Sequence, residues 1–313
     1  MINNKTISII SLIKNEHLYL DEWLTHYINL GVDKIFIIED INSDSHKEIC
    51  DKYDKVTLIK LNEFVDLSQY PNNINRQDII IQNLYDFFID KTDYISFLDT
   101  DEFLMFNNNY SFEKLITDME LKNINSICLY WKLFTYSGYM YKPSEGIYSV
   151  VDTYTDMYNF YDDINYHFKK ITWGTYKFLL NIKNTKKEDL YNELPTHMTI
   201  HNNIYIDFDY SKELYIQQKV QLNHYITKSF EENVIKIYGR GDVVKNSNAG
   251  NGRSFNGFYF DNKFLKPYIL TWEEFYDPYF KEGKYEKFIE ENMDIIKDIA
   301  NKYNIEYTKL LLQ

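Results

Sequence analysis

The chain has 313 residues, of which 44% are hydrophobic and 18% aromatic, enough for one large α/β domain with an appendage or two modest domains. A formal net charge of −13 argues against a nucleic-acid groove or an anionic membrane surface as the main partner. Cys50 and Cys128 alone supply no disulfide framework and no thiolate zinc cluster. With no signal-like segment before the first apolar run, and no run approaching the ~20 residues of a membrane helix, a cytoplasmic location without a transmembrane segment is expected.

The first strong pattern is Thr6 to Ile13, an apolar run that predicts a buried strand, interrupted at its C-terminal end by Lys14-Asn15-Glu16. A helix is expected to follow through about Leu30, because Leu20, Trp23, Leu24, Tyr27 and Ile28 recur at helical spacing and Gly31 suits its C′ position. Lys34 to Ile38 predicts a second strand ending in Glu39-Asp40, and the Asn42 to Ser45 loop leads to a short helix. Val56 to Leu61 predicts a third strand. This β-α-β-α-β order implies a parallel sheet with right-handed crossovers. Asn75 to Phe88 predicts a helix that delivers the chain to Tyr94-Ile95-Ser96-Phe97-Leu98, a short buried strand.

That strand ends in Asp99-Thr100-Asp101-Glu102, three carboxylates among four residues, at the edge where open α/β sheets bind ligands. An extended backbone would send Asp99 and Asp101 to the same side, where both can grip one hard divalent cation directly or through water. The other reading of the same residues is an acidic turn. Further on, Ser111 caps a predicted helix, and Ser126 to Trp131 predicts another strand. From Lys132 to about Asn181 the periodicity fades into aromatic, turn-rich sequence, Lys183 to Asp189 reads as a charged loop, and Thr199 to Phe208 as a strand or hairpin. A strand carrying His224 and Tyr225 precedes a helix whose Ser229 and Glu232 match a capping box. The Gly- and Asn-rich stretch 240–257 predicts a mobile loop, and Thr271 to Leu312 a charged helical tail. The expected boundaries are therefore 1–260 for the main domain and 261–313 for a C-terminal helical extension.

Three blocks, Ser11 to Asp44 (with KNE-x₄-DEW), Tyr94 to Leu104 (YISFLDTDEFL) and Asn223 to Gly241 (with HY-x-x-KS-x-EE), occur in this order. Together they make the chain from about Lys5 to Gly241 resemble glycosyltransferase family 92 and related family 2-like enzymes of the GT-A fold. The resemblance implies a Rossmann-like, mostly parallel central sheet flanked by helices. It also implies a UDP-sugar donor, Mn²⁺ or Mg²⁺ bridging its phosphates, and a carbohydrate acceptor, with inversion at the anomeric carbon. A surface polysaccharide or glycoconjugate would be the product, and a lipid-linked acceptor would bring the enzyme peripherally to a membrane.

Carried onto this sequence, the resemblance makes Asp101 the direct metal ligand and Asp99 a contact to the ribose or to the metal's water. His224 becomes a ligand from the C-terminal side; otherwise it is a hydrogen-bonded strand histidine. Lys228 and Arg240, and less so Lys236, would neutralise phosphate. From its own composition, the 240–257 loop with Arg240, Lys245 and Arg253 would close over a bound diphosphate; the other reading is an ordinary surface loop before the helical tail. Asn15 and Glu16 would meet the base, Asp40 the uracil or ribose, and Arg76 and Gln77 the nucleotide; capping of helices and loops is the other use of Asn15, Glu16 and Asp40. Glu102, Glu231 and Asp242 are the candidates for the base that deprotonates the acceptor. Glu232 is set aside by its capping box, and Trp131 and Trp173 are candidates to stack on sugar. The alternatives are a sugar-phosphate nucleotidyltransferase, against which the lack of a glycine-rich basic phosphate loop near the first strand counts, and a non-catalytic carbohydrate-binding domain.

Overall fold

The apolar run near the N-terminus becomes β1 (Ile7–Ile13), buried along its whole length. The protein is described from a computed structural model covering residues 5–70, 76–107, 109–144, 149–157, 176–187, 216, 219–225, 227–240 and 284–311. Helix α1 (Leu20–Asn29) buries Leu20, Trp23, Leu24 and Tyr27. It ends in a Schellman motif: Gly31, at φ 92°, donates to the Ile28 carbonyl, and Val32 N–H to the Tyr27 carbonyl. Strand β2 (Lys34–Glu39), short helix α2 (Lys47–Cys50) and β3 (Val56–Lys60) come next. Leu61, expected to end the third strand, instead opens α3 (Leu61–Phe64), where the Glu63 carboxylate accepts the Lys60 N–H at 3.3 Å.

Helix α4 (Arg76–Phe88) leads to β4 (Tyr94–Phe97). The chain then turns into β5 (Glu102–Phe106), a strand that sequence periodicity does not separate from the acidic turn. Ser111 caps α5 (Phe112–Leu121) as expected, accepting the Lys114 N–H. Next come β6 (Ser126–Leu133), α6 (Val150–Thr153), β7 (Tyr176–Asn181), β8 (Val220–His224), α7 (Phe230–Val234) and α8 (Lys284–Lys302). The capping box at Ser229 and Glu232 forms. The expected strand at 199–208, Trp173, the Arg240 side chain, Asp242 and the loop through 257 lie outside the described residues.

The described strands form one sheet in the order β3-β2-β1-β4-β7-β6-β8-β5. Strands β3, β2, β1 and β4 pair in parallel, as the β-α-β-α-β order requires, whereas β4–β7, β7–β6 and β8–β5 are antiparallel. The fold class is α/β, with helices packed on the sheet. On one face, Ile10, Leu12, Phe36, Ile38, Ile95, Phe97, Phe178 and Leu180 pack against Leu61 and Phe64 of α3 and Ile80, Leu84 and Phe88 of α4. Burial of each such side chain contributes about 1.5–3 kcal/mol.

Two compact units divide the chain. The first comprises 1–131, 172–224 and 243–246 and holds the sheet. The second comprises 132–171, 225–242 and 247–313. In it, Phe230 and Val234 of α7 share a core with Met140 and with Ile289, Ile296, Ile299 and Ala300 of α8. No helix among the described residues is long and apolar enough to cross a membrane.

Candidate active site

The site is built at the C-terminal edge of the parallel strands of the first unit. There β4 stops at Phe97, and residues 98–101 turn instead of staying extended. Asp99 N–H donates to Glu102 Oε2 at 2.8 Å, and Glu102 N–H returns a bond to the Asp99 carbonyl at 3.0 Å. This closed turn overrides the alternation expected for an extended strand, so Asp99 and Asp101 meet different partners. Asp99 Oδ1 accepts from Gln77 Nε2 at 2.9 Å, and Oδ2 from Lys177 Nζ at 2.9 Å. Asp101 Oδ1 instead lies 3.5 Å from His224 Nε2.

His224 arrives on β8, which pairs antiparallel with β5 and sets His224 opposite Glu102. Its ring packs against Trp131 at a tilt of 55°, with centroids 4.4 Å apart. From the other side, α1 fixes β5: Trp23 Nε1 and Tyr27 OH, one helical turn apart, both donate to the Glu102 carbonyl at 2.9 Å. Leu104 N–H in turn donates to the Tyr27 oxygen at 3.0 Å.

Lys177 stands at the centre of the turn, 1% exposed, with the rings of Phe97 and Trp131 at 5.3 and 6.0 Å. Its ammonium lies 3.7 Å from Glu102 Oε1, a buried oxygen that accepts no hydrogen bond among the described residues. Burial opposes the charge on Lys177, but Asp99 and Glu102 outweigh it and hold its pKa above the ordinary value. Burial also pushes the Glu102 carboxyl well above the usual carboxylate range, against the pull of Lys177.

The tips of β1 and β2 carry a second polar group. The Glu39 carboxylate accepts both the backbone N–H of His46, at 2.7 Å, and its Nδ1–H, at 3.0 Å. His46 Nε2 accepts the Glu16 N–H at 2.8 Å, which requires a neutral imidazole protonated on Nδ1. Burial lowers the pKa of His46 and favours that form. Asn15, at φ 53°, accepts the Asp44 N–H on its side-chain oxygen at 2.8 Å, tying the tip of β1 to the loop after β2. Asp40 forms a buried ion pair with Arg76 and accepts the Asn42 N–H at 2.9 Å.

Asp99, Asp101, Glu102, Gln77 and His224 thus meet around one turn, and Asn15, Glu16, Asp40 and Arg76 line the neighbouring strand tips. Lys228 and Glu231 fall in the second unit. Glu231 accepts Lys302 Nζ at 2.7 Å, Tyr303 OH at 2.8 Å and Lys142 N–H at 2.8 Å, which is a structural carboxylate's environment. Glu232 accepts the Ser229 N–H and bonds the Tyr154 hydroxyl.

Lys177, Glu39 and His46 were missed in the sequence. For Lys177 a signal existed: it is the one charge in Tyr176–Asn181, and an unpaired charge in a buried strand is too costly to stand without an acid nearby. Glu39 and His46, seven residues apart across a loop, carried no such signal.

Among the described residues, no group of three or more His, Cys, Asp or Glu side chains is gathered around one point. Asp101 and His224 do converge as a pair. Adjacent ligands on an octahedral hard cation held at about 2.1 Å lie about 3 Å apart, and the 3.5 Å between Asp101 Oδ1 and His224 Nε2 fits that span with a small adjustment. A carboxylate and an imidazole also suit Mn²⁺ chemically.

No protein-family model matches the chain. No curated protein matches it either. Among solved structures, it is similar to glucosyl-3-phosphoglycerate synthase from Mycobacterium tuberculosis in complex with Mn²⁺, uridine diphosphate and phosphoglyceric acid, at 15% identity and a TM-score of 0.29. That match covers 43% of this chain and 45% of the synthase, so the chain spans less than half of the synthase's length. A mycobacterial protein matches at 11% identity and a TM-score of 0.37, covering 70% of this chain and 66% of that one. HddC from Yersinia pseudotuberculosis matches at 10% identity and a TM-score of 0.31, covering 62% and 81%. Likenesses this distant carry no weight for function, which the residues of the site must carry themselves.

Proposed function

We propose that the protein is a divalent-metal-dependent glycosyltransferase of the GT-A type, related to family 92, that moves a sugar from a UDP-sugar to a glycan hydroxyl with inversion. The observation that carries this reading is the facing pair of donors, Asp101 Oδ1 and His224 Nε2, 3.5 Å apart at the edge where an α/β sheet binds ligands. In this reading Asp101 and His224 hold Mn²⁺ or Mg²⁺, which when bound offsets the negative charge that gathers on the departing diphosphate. Asp99, clamped by Gln77 and Lys177, presents its carboxylate to the ribose.

The buried Asp40–Arg76 pair forms the floor beside it, and Asn15 and Glu16, fixed through Ser43, Asp44 and His46, form the rim on the base side. Lys228 and Arg240 are the candidates for diphosphate charge. Glu102 and Glu231, two of the three candidates for the base, are buried against their own partners, and Asp242 lies outside the described residues. Residues 1–260 are read as the transferase domain and 261–313 as its helical extension, with a surface glycan, free or lipid-linked, as acceptor.

The test is to incubate the full chain with a panel of nucleotide sugars and Mn²⁺ and follow the release of nucleoside diphosphate. Release from a UDP-sugar is expected. No release across the panel, together with no Mn²⁺-dependent binding of UDP by calorimetry, overturns the reading.

A further inference from the structure

Asp99 and Asp101 are the same residue type two positions apart, yet only Asp101 faces the histidine. What separates them is Lys177. Its side chain is 1% exposed and its ammonium lies 2.9 Å from Asp99 Oδ2 and 3.7 Å from Glu102 Oε1, so it takes up one carboxylate directly and lies against a second. Gln77 holds the other Asp99 oxygen at 2.9 Å. A buried ammonium is fixed where the strand puts it, because leaving its acids would strand a charge in the interior. Strand β7 supplies that fixed point: Ser96 on β4 pairs with Leu179, and Leu129 on β6 with Lys177, which places Lys177 beside the end of β4.

We propose that Lys177 is a positioning residue that withholds Asp99 from the cation, leaving Asp101 and His224 as the only ligands supplied by the turn and β8. This inference rests on the reading of Asp101 and His224 as cation ligands. Two consequences follow from charge alone. A hard dication gains affinity with each carboxylate that reaches it. It loses affinity to a nearby fixed positive charge. Lys177 acts in both senses, so the wild-type site holds its cation loosely.

Mn²⁺ is titrated into the full chain at saturating UDP, with saturation rechecked for each variant, and metal occupancy is followed by electron paramagnetic resonance. Asp101→Asn tests the underlying reading: wild-type Mn²⁺ affinity in that variant discards the metal site and this inference with it. With Asp101→Asn deficient, Lys177→Met is expected to bind Mn²⁺ about tenfold more tightly than wild type, as removing one nearby charge and releasing one carboxylate requires. Lys177→Met/Asp99→Asn is expected to return to within about threefold of wild type. A purely structural lysine would weaken or leave unchanged the metal affinity, and Asp99→Asn would not cancel its loss; either result overturns the proposal. Should Lys177→Met not fold, Asp99→Asn alone decides. It is expected to change Mn²⁺ affinity far less than Asp101→Asn, and an equal loss in the two variants shows that Asp99 is a ligand and refutes the withholding.

Discussion

Glu102 in the first unit and Glu231 in the second are both almost fully buried, at 0% and 2% exposure, and each has a lysine at hand. Their chemistry runs in opposite directions. Glu231 receives three donors, Lys302, Tyr303 and the Lys142 N–H, and although burial pushes its pKa up, these together bring it below the ordinary value. Among the described residues Glu102 has one donor on Oε2, none on Oε1, and a lysine 3.7 Å away that is already bonded to Asp99; its pKa rises well above the ordinary value. Burial alone therefore does not fix the state of a carboxylate. The number of donors that reach it does. A fully satisfied acid holds elements together, whereas an under-satisfied one beside a strand tip stores a polar imbalance, as functional sites do.

The sharpest way to break this contrast is at Asp101. On the proposed reading of Asp101 as a direct metal ligand, Asp101→Ala is expected to reduce Mn²⁺-dependent UDP binding by roughly 100-fold or more with little change in melting temperature, since the residue sits in the turn between β4 and β5. Calorimetry with and without Mn²⁺ checks it, and unchanged metal-dependent binding would move the site elsewhere.

Next in size is Glu231→Gln, expected to cost about 2 kcal/mol in denaturant unfolding at pH 7, because three donors lose a buried, charged acceptor. The sign follows from the depressed pKa. The stability Glu231 contributes is present above the ordinary value of 4.5 and is lost as pH falls through the lowered folded value, so the deficit of Glu231→Gln should shrink on acidification. Glu102 has the reverse sign: its contribution is present below 4.5 and is lost as pH rises through its raised folded value. Glu102→Gln should accordingly cost less than Glu231→Gln at pH 7, and equal losses would show that donor count does not separate the two.

A smaller effect is expected at His46, whose folded pKa burial depresses below 6.5. The stability tied to the neutral ring is present above 6.5 and is lost as pH falls through the folded value, because a protonated Nε2 cannot accept the Glu16 N–H. Hydrogen exchange at the Glu16 amide should speed up on acidification beyond the intrinsic pH trend, and a flat protection factor between pH 7 and 5 would refute the assigned tautomer.

The smallest effect is at Asp78, whose carboxyl burial raises to about 6. Stability is then highest below the ordinary value of 3.8 and is lost as pH rises through about 6. Asp78→Asn should stabilise the protein at pH 7 by about 1 kcal/mol, a value discounted for partial exposure, and should be neutral at pH 3.

Much of the fold was legible because its signals are local. The apolar runs at Ile7–Ile13 and Lys34–Glu39, Gly31 at the end of α1 and the Ser229–Glu232 box each act within a few residues, and each is observed. The family resemblance supplied the site candidates, and the structure brings Asp99, Asp101, Glu102, Gln77 and His224 to one turn. What stayed hidden is long-range. Nothing in the sequence around Asp99 says that a lysine 78 residues away will claim it. The extended backbone assumed for Asp99 and Asp101 failed because the Asp99–Glu102 reciprocal bonds outcompete strand continuation, a choice that depends on β8 pairing with β5. Strand β7 itself was lost in a stretch where aromatics blur any period of two.

Trp23 and Tyr27 both grip the carbonyl of Glu102, the residue next to Asp101. The stiffness of the acidic turn is therefore the stiffness of a helix, not of a loop. A force applied to Asp101 is carried through one peptide unit into α1, and through its fully buried flank into the body of the sheet. Seen as a mechanical joint, the turn is a bracket bolted at two points one helical pitch apart, which resists rotation as well as translation. Shortening either bolt, as Trp23→Phe or Tyr27→Phe would, leaves a hinge where there had been a mount.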